Sequence, residues 1–569
     1  MQFRLSAVRR RRTRIMLEYL RTGDWLTRER VRIIAFTLLA FYIASMAFLF
    51  ATSNGRVDRF DRPLGTDYSQ VWTAGRFVLE GHPEKPFDNA VHERRQQEYF
   101  SPTSGFFHWG YPPYFLVVAA IFALLPYALS LLLWQASTFL LYLAAMRRIA
   151  PLQDGLLLAA AFPAVFVNVS HGHNGFLSAG LMALALLVLE RRPIVAGILF
   201  GLLAYKPQFG LLIPVALVAG GYWRAVVAAG VTIVVMTLGT LWAFGWETWR
   251  GFFDMMHFSR VVVSEQGATG WYKIQTIFSA VRMWGGSIPL AYGVQAISAL
   301  GCAAIVAWMW FTHADRRLAA AALMTGALLS TPYALDYDMV LLGPALAFVV
   351  VHGLEKGFRP WEKTALAMVW AIPLLTRTLT LATFVPVGQI VMIAFMAMIF
   401  SRAWAERGAG RGIAEQRLIA EIGAFSLVGA IGFAVDAGLT LLFAKGLGFS
   451  GYAARVPAMV IAVAVTWWLN RIWTFRSRDP RLLREFARYV LANLFTAACN
   501  LCIYALLLWG ASRMGFEQSG GAIFAALVVG SGAAAVANFI LSKYFSFAKE
   551  GDRAQEAKPP MASSPDPLR

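Results

Sequence analysis

The chain has 569 residues, 58% of them hydrophobic and only 15% charged, with a formal net charge of +19 and a mean hydropathy of +0.56. Water-soluble domains carry about 25% charged residues, so a mainly soluble fold is excluded and an all-α, polytopic membrane protein is predicted. The surplus of basic residues falls in alternate loops, which marks topology and contact with anionic membrane lipids and argues against nucleic acid as a partner.

Residues 1–32 form a basic segment with Arg9 to Arg12, Arg14, Arg21, Arg28, Arg30 and Arg32, and are expected in the cytoplasm. The apolar run Ile33 to Ala51 exceeds the roughly 7–15 residues of a signal-peptide core, which predicts a retained span. Further apolar runs of about 20 residues follow, and none alternates with period two as a transmembrane barrel would. Two long loops, 52–111 and 245–287, are rich in aromatic residues and charge and are expected outside, as are Lys206-Pro207-Gln208 and Thr331 to Asp338. The stretch 112–146 holds two apolar runs around Pro126, yet Arg147 and Arg148 fit the cytoplasm only if it crosses once. A broken or partly re-entrant segment is therefore predicted there. The domain plan is a membrane domain over 33–401, a charged, Gly-rich cytoplasmic linker over 402–418, a second membrane domain over 419–548 and a disordered cytoplasmic tail over 549–569. Roughly 15 to 17 spans are expected, with both termini in the cytoplasm.

No Walker A sequence and no Gly-x-Gly-x-x-Gly after a strand is present, so a cytosolic nucleotide donor is not expected. The three cysteines give no disulfide framework, and Cys499 and Cys502 read as small packing residues in an apolar helix.

In the first long loop, apolar positions 71, 72, 77, 78 and 79 predict an interfacial amphipathic helix with Asp67 just before it. Two readings of Asp67 stand at this point: a helix N-cap, or a general base close to the membrane surface. Lys206 lies between apolar runs, where a lysine costs about 2.5–3.5 kcal/mol at mid-helix unless it snorkels or pairs. Anion binding and snorkelling are its two readings. His171-Gly172-His173-Asn174-Gly175 lacks the ligands of a closed metal site, so loop packing or sugar hydrogen bonding is the favoured use of His173 and Asn174.

Near the end of the chain, Asn470-Arg471-Ile472-Trp473-Thr474-Phe475 is echoed by Ser542-Lys543-Tyr544-Phe545-Ser546-Phe547, each copy closing an apolar stretch. Phe425 leads to Asp436 by the same spacing that takes Tyr489 to Asn500. Residues 420–547 therefore read as a parallel two-fold repeat of helical hairpins. Asp436 and Asn500 occupy equivalent depths in apolar helices, where an ionisable group is a functional candidate. Arg471 and Lys543 stand at the cytoplasmic ends, where a lipid phosphate would arrive, or where they serve only as topology anchors. Trp473/Phe475 and Phe545/Phe547 read as an interfacial aromatic belt.

Two resemblances extend this reading. The stretch Asp67-Tyr68-Ser69-Gln70-Val71-Trp72-Thr73-Ala74-Gly75-Arg76 with Leu79-Glu80-Gly81, the Tyr111-Pro112-Pro113 start of the next run, and Gly197 to Gln208 resemble the GT-C-type glycosyltransferases. Among these they are most similar to glycosyltransferase family 87, the polyprenol-phosphate-mannose-dependent α-mannosyltransferases. The resemblance implies a GT-C-type helical bundle and inverting transfer of a hexose, mannose by family, from a polyprenyl-phosphate donor to an extracytoplasmic glycan or glycolipid acceptor. It puts Asp67 in the place of the family's general base. Lys206, Arg260 and Lys273, with His257, Tyr272 and His108 nearby in sequence, then become candidates for holding the donor phosphate or sugar. Many relatives carry a Ser-Pro stretch ending in aromatic and His residues where this chain has Thr331-Pro332-Tyr333-Ala334-Leu335-Asp336-Tyr337-Asp338. A divalent metal on Asp336 and Asp338 is conceivable and not favoured, and no cofactor is expected. The repeat resembles the GtrA-like family, implicated in moving polyprenyl-phosphate-linked sugars across membranes, which implies a four-helix bundle with Asp436, Asn470, Arg471, Asn500 and Lys543 in the translocation unit. The expected whole is a multi-pass inner-membrane hexosyltransferase fused to a translocase-like unit. A lipid-linked sugar flippase without transferase activity is the alternative.

Overall fold

The computed structural model describes residues 16–408, 451–477, 479–513 and 537–547, with scattered positions within 421–443 and at 534 and 535. The chain divides into two compact units, Met1–Arg407 and Gly408–Arg569. Among the described residues the fold is all-α, with three isolated β-bridges and no strand. Seven described helices are long and apolar enough to cross a membrane, and four shorter apolar helices accompany them. The 15 to 17 spans expected by the roughly 20-residue criterion include segments outside the described residues, and within the first unit proline shortens several of them. Pro113, Pro163, Pro193 and Pro207 each open a helix in its first turn, a position where the missing N–H costs nothing. Apolar runs that read as continuous are thereby cut into short helices. The break expected at Pro126 is such a case, separating Pro113–Ala123 from Tyr127–Ile149. The tail 549–569 and most of the linker, with much of the expected four-helix bundle, lie outside the described residues.

The centre of the first unit is the pair of helices Arg316–Ser330 and Leu342–Lys356, buried along almost their whole length. Both are rich in small residues, as in Ala319 to Ala322, with Gly326 packed against Leu212 and Gly343 against Tyr142. Small residues allow close backbone approach where lipid offers no hydrophobic drive for association. The segment joining these helices, 331–341, carries Asp336 and Asp338, so the candidate site is built on the most constrained part of the bundle.

Two long loops close over this platform. The second begins as helix: Trp223–Phe258 runs 36 residues and bends at Gly245, whose φ of 77° and ψ of 171° leave the helical region. At about 1.5 Å per residue an unbroken helix of that length would overrun a bilayer's hydrocarbon thickness of about 30 Å. The bend falls where the second loop was expected to begin, and the 13 residues that follow it in that loop are helical. The first loop carries the helix Thr66–Leu79, of which nine residues are buried. It is therefore a packed element rather than an interfacial one. A Cβ at Gly75 would lie 2.1 Å from the Ala119 carbonyl oxygen, so this helix crosses Pro113–Ala123 at backbone contact.

Gly75→Val forces that crossing apart. Overpacking of this kind costs about 1–3 kcal/mol, so the variant should lose its monodisperse detergent-solubilised form several degrees below the parent, whereas Gly105→Ala, where nothing lies within 4 Å, should not.

Candidate active site

Asp67 sits in the first turn of Thr66–Leu79, and Gly65 occupies the N-cap with φ 63° and no side-chain cap. The N-cap reading of Asp67 is thereby corrected. Gly65 is held back to back with Gly172, also at φ 63°: a Cβ on Gly65 would lie 3.5 Å from the Gly172 Cα, and one on Gly172 would meet Tyr68 Cβ at 2.7 Å. Two left-handed glycines thus dock the start of the Asp67 helix onto the His171–Asn174 turn. Trp134 Nε1 donates to the Gly172 carbonyl at 3.1 Å and fixes that turn from the other side.

Beside it lies a buried ion pair. Lys206, 4% exposed, donates from Nζ to Asp338 Oδ1 at 2.7 Å, and Asp338 is 2% exposed. The snorkelling alternative for Lys206 does not apply. Lys206 Nζ also reaches His173 Nε2 at 3.3 Å, and the His173 ring stacks on Tyr337 with centroids 3.6 Å apart. Burial, with the Lys206 charge added, holds the His173 imidazole well below its ordinary pKa, so Nε2 can accept from the ammonium. Asp338 Oδ2 accepts from the Leu335 amide at 3.0 Å. Asp336 pairs with Arg377 through Oδ2, with Nη2 at 2.6 Å. Both carboxylates of the Asp-x-Asp stretch are therefore occupied by cations, and among the described residues no cluster of three or more His, Cys, Asp or Glu is arranged for a metal ion.

Lys206, His173, Tyr337 and Asp338 face a cavity of about 350 Å³ whose wall also includes Gln70, Tyr111 and Arg260. Arg260 is an exposed lining cation, 3.6 Å from Glu265. His108 also contributes to the wall. His257, Tyr272 and Lys273 are not among the lining residues. His257 is exposed, within 3.5 Å of Arg260 Nη2, and Lys273 Nζ lies 5.7 Å from the Tyr272 ring centroid. Lys273 acts through its backbone, its carbonyl accepting from the Asp336 amide at 3.1 Å while Gln275 N donates to Ala334 O at 2.7 Å. The second loop is thus stitched to the Asp-Tyr-Asp segment. Asn174 is buried with both amide atoms unpartnered.

Asp67 Oδ2 is buried and has no hydrogen-bond partner. Burial raises the Asp67 pKa above its usual value, Asp336 and Asp338 push the same way, and His171 and Lys206 pull it back. A carboxylate with an unfilled oxygen, a raised pKa and a cation in its field has the properties of a proton acceptor. Sequence reasoning missed Arg377, although an arginine inside an apolar helix is a signal that it has a partner.

In the second unit both copies of the closing motif end in a π-helical turn, Asn470–Thr474 and Ser542–Ser546. Their equivalent phenylalanines, Phe475 and Phe547, are buried and stacked at 4.8 Å with Tyr489 beside them. The belt reading is corrected for these two rings, while Trp473 and Phe545 are exposed. Asn470 donates to the Tyr489 hydroxyl at 3.1 Å. Arg471 pairs with Glu485 at 2.5 Å and Lys543 with Glu421 at 2.9 Å. Glu421 and Glu485 stand the same 64 positions apart as Phe425 and Tyr489. Each motif cation therefore bonds the carboxylate of the other copy. Asp436 and Asn500 are half-buried on helical segments.

Fold and site together define a polytopic α-helical membrane protein with a polar, ion-paired cavity beneath two long loops. Residues 109–335 match the family described as Glycosyltransferase family 87, and residues 424–547 match the domain described as GtrA/DPMS, transmembrane domain. The chain is a fusion of these two parts, and the matches support a membrane glycosyltransferase with handling of lipid-linked sugar. Asp67 and Asp338 fall on either side of the first matched region. A search of curated proteins gave no match to this chain.

Removing one partner of a buried pair costs about 3–5 kcal/mol. Lys206→Met and Asp338→Leu should each lower thermal stability sharply, and the double variant should recover most of the loss. In the second unit, Glu485→Arg should destabilise and Arg471→Glu in the same chain should restore folding, as read by yield of monodisperse protein.

Proposed function

We propose that the first unit transfers a hexose, with mannose the first candidate, from a polyprenyl-phosphate donor to a hydroxyl of a glycan or glycolipid acceptor. The observation that carries this reading is the unpartnered Asp67 carboxylate oxygen set beside the Lys206–Asp338–His173 cluster. Asp67 Oδ2 takes the acceptor proton as the acceptor oxygen bonds to C1. The C1–O bond to phosphate breaks on the opposite face, inverting the centre, and the electron pair leaves with the polyprenyl phosphate. A phosphate leaving group, with a second pKa near ~6, needs cationic support more than protonation. Arg260, exposed in the cavity wall, and Lys206, buried in it, are the cations available for this. The step uses no metal or nucleotide.

The reading sets the protein in the inner membrane, with the cavity outside and both termini in the cytoplasm. The second unit would bring the lipid-linked sugar to the outer face. An isoprenoid tail held by about 0.8 kcal/mol per buried CH₂ does not leave the bilayer unaided, so supply and consumption share the membrane plane.

Asp67→Asn should lower transfer by about 10²–10⁴-fold in purified protein given polyprenyl-phosphate hexose and acceptor. Transfer at the parental rate would instead favour a translocase without transferase activity. The working base is ionised, so the rate should fall as pH drops through the raised Asp67 value. Lys206→Met removes a charge that lowers that value, and the acid limb of its pH–rate profile should move to higher pH.

A further inference from the structure

Gln70 lies three residues after Asp67 on the helix Thr66–Leu79. Side chains at that spacing share a face, with Cβ atoms about 5–6 Å apart. Gln70 is 8% exposed, lines the cavity, and its Oε1 has no hydrogen-bond partner. Leaving a buried polar group unpaired is costly, and nothing in the packing of this helix requires a glutamine. Its glycine crosses Pro113–Ala123 through Gly75 and its aromatic anchors are Tyr68 and Trp72. The face that carries the unpartnered Asp67 oxygen therefore carries a second unpartnered oxygen one turn further along, and the cavity that Gln70 lines is also walled by Lys206 and Asp338, whose charges act on Asp67.

We propose that Gln70 determines acceptor specificity by hydrogen bonding a hydroxyl next to the one that Asp67 deprotonates. The inference rests on Asp67 acting as base and adds the class of acceptor: a sugar ring presenting two neighbouring hydroxyls. Two acceptor oxygens one turn apart on a buried helix match two O–H donors carried by one rigid molecule. A serine or threonine side chain, or a simple lipid alcohol, offers only one. The Gln70 carboxamide makes no bond in the chemical step, so its contribution falls on binding and on orientation of the acceptor. A site built around such a group also rejects analogues that leave it unpaired.

The test is equilibrium binding of octyl hexopyranosides and their monodeoxy analogues to the full-length protein in detergent, by calorimetric titration. Removal of one ring hydroxyl should weaken binding to the parent by about tenfold, the scale of one hydrogen bond. In Gln70→Met, which keeps the side-chain volume, the parent glycoside should bind about tenfold more weakly and the deoxy penalty should vanish. That coupling is what a merely structural glutamine would not produce. The proposal is overturned if no glycoside binds, if no single deoxygenation matters in the parent, or if the penalty persists in a Gln70→Met protein with parental melting behaviour. The base reading stands or falls separately, on transfer by Asp67→Asn, because the glycoside titration involves no turnover.

Discussion

The buried bond between Lys206 and Asp338 governs the geometry of the first unit's site. An ammonium and a carboxylate withdrawn from water repay their desolvation only when the remaining donors and acceptors are also filled. Here the filling is distributed: the Leu335 amide takes the second Asp338 oxygen, and His173 accepts from the ammonium. The pair therefore binds three distant stretches of chain, the turn after Gly172, the break before Pro207 and the segment between the two central helices. Each is irregular backbone at a helix break, which membrane proteins tolerate only where protein or a polar cavity surrounds it. The cavity and its irregular walls are thus one construction, and the ion pair is its fastening.

Much of this was legible in the sequence because charge in an apolar chain is informative. Lys206 stood out for the cost of leaving it unpaired, Asp338 for its place in an Asp-Tyr-Asp stretch, and Asp67 for its loop. What was not legible was who meets whom. The Gly65–Gly172 docking joins two positive-φ glycines more than 100 residues apart, and neither carries a local pattern that names the other. Periodicity gave the helix through positions 71–79, left Asp67 just outside a helix that in fact starts at Thr66, and read its surroundings wrongly. A 14-residue stretch with apolar residues on one face looks the same whether it lies on lipid or packs against other helices, as this one does against Pro113–Ala123. Phe475 and Phe547 were misread for a related reason: aromatic residues at a span's end mark the interface on average, but here Trp473 and Phe545 are exposed while Phe475 and Phe547 are buried.

The two units handle charge in different ways. In the first, one Asp67 oxygen and the Gln70 Oε1 are buried and left unfilled, at a cost in stability that a ligand would relieve. In the second, the motif cations bond carboxylates and the motif's asparagine bonds a tyrosine. A phosphate arriving at Arg471 or Lys543 would meet a bond already made and would have to compete with it. Entry of an anion is then an exchange reaction rather than the filling of a vacancy.

The crossed pairing of Arg471 with Glu485 and Lys543 with Glu421 also carries a statement about symmetry. Reciprocal contacts, in which one half's cation meets the other half's acid and the reverse, are the mark of an isologous two-fold interface. Neither half closes these bonds alone: the cation of each copy meets the acid of the other. The two halves are thus joined by one kind of contact used twice, although its surroundings differ, with Arg471 and Phe425 in one copy and Lys543 and Tyr489 in the other.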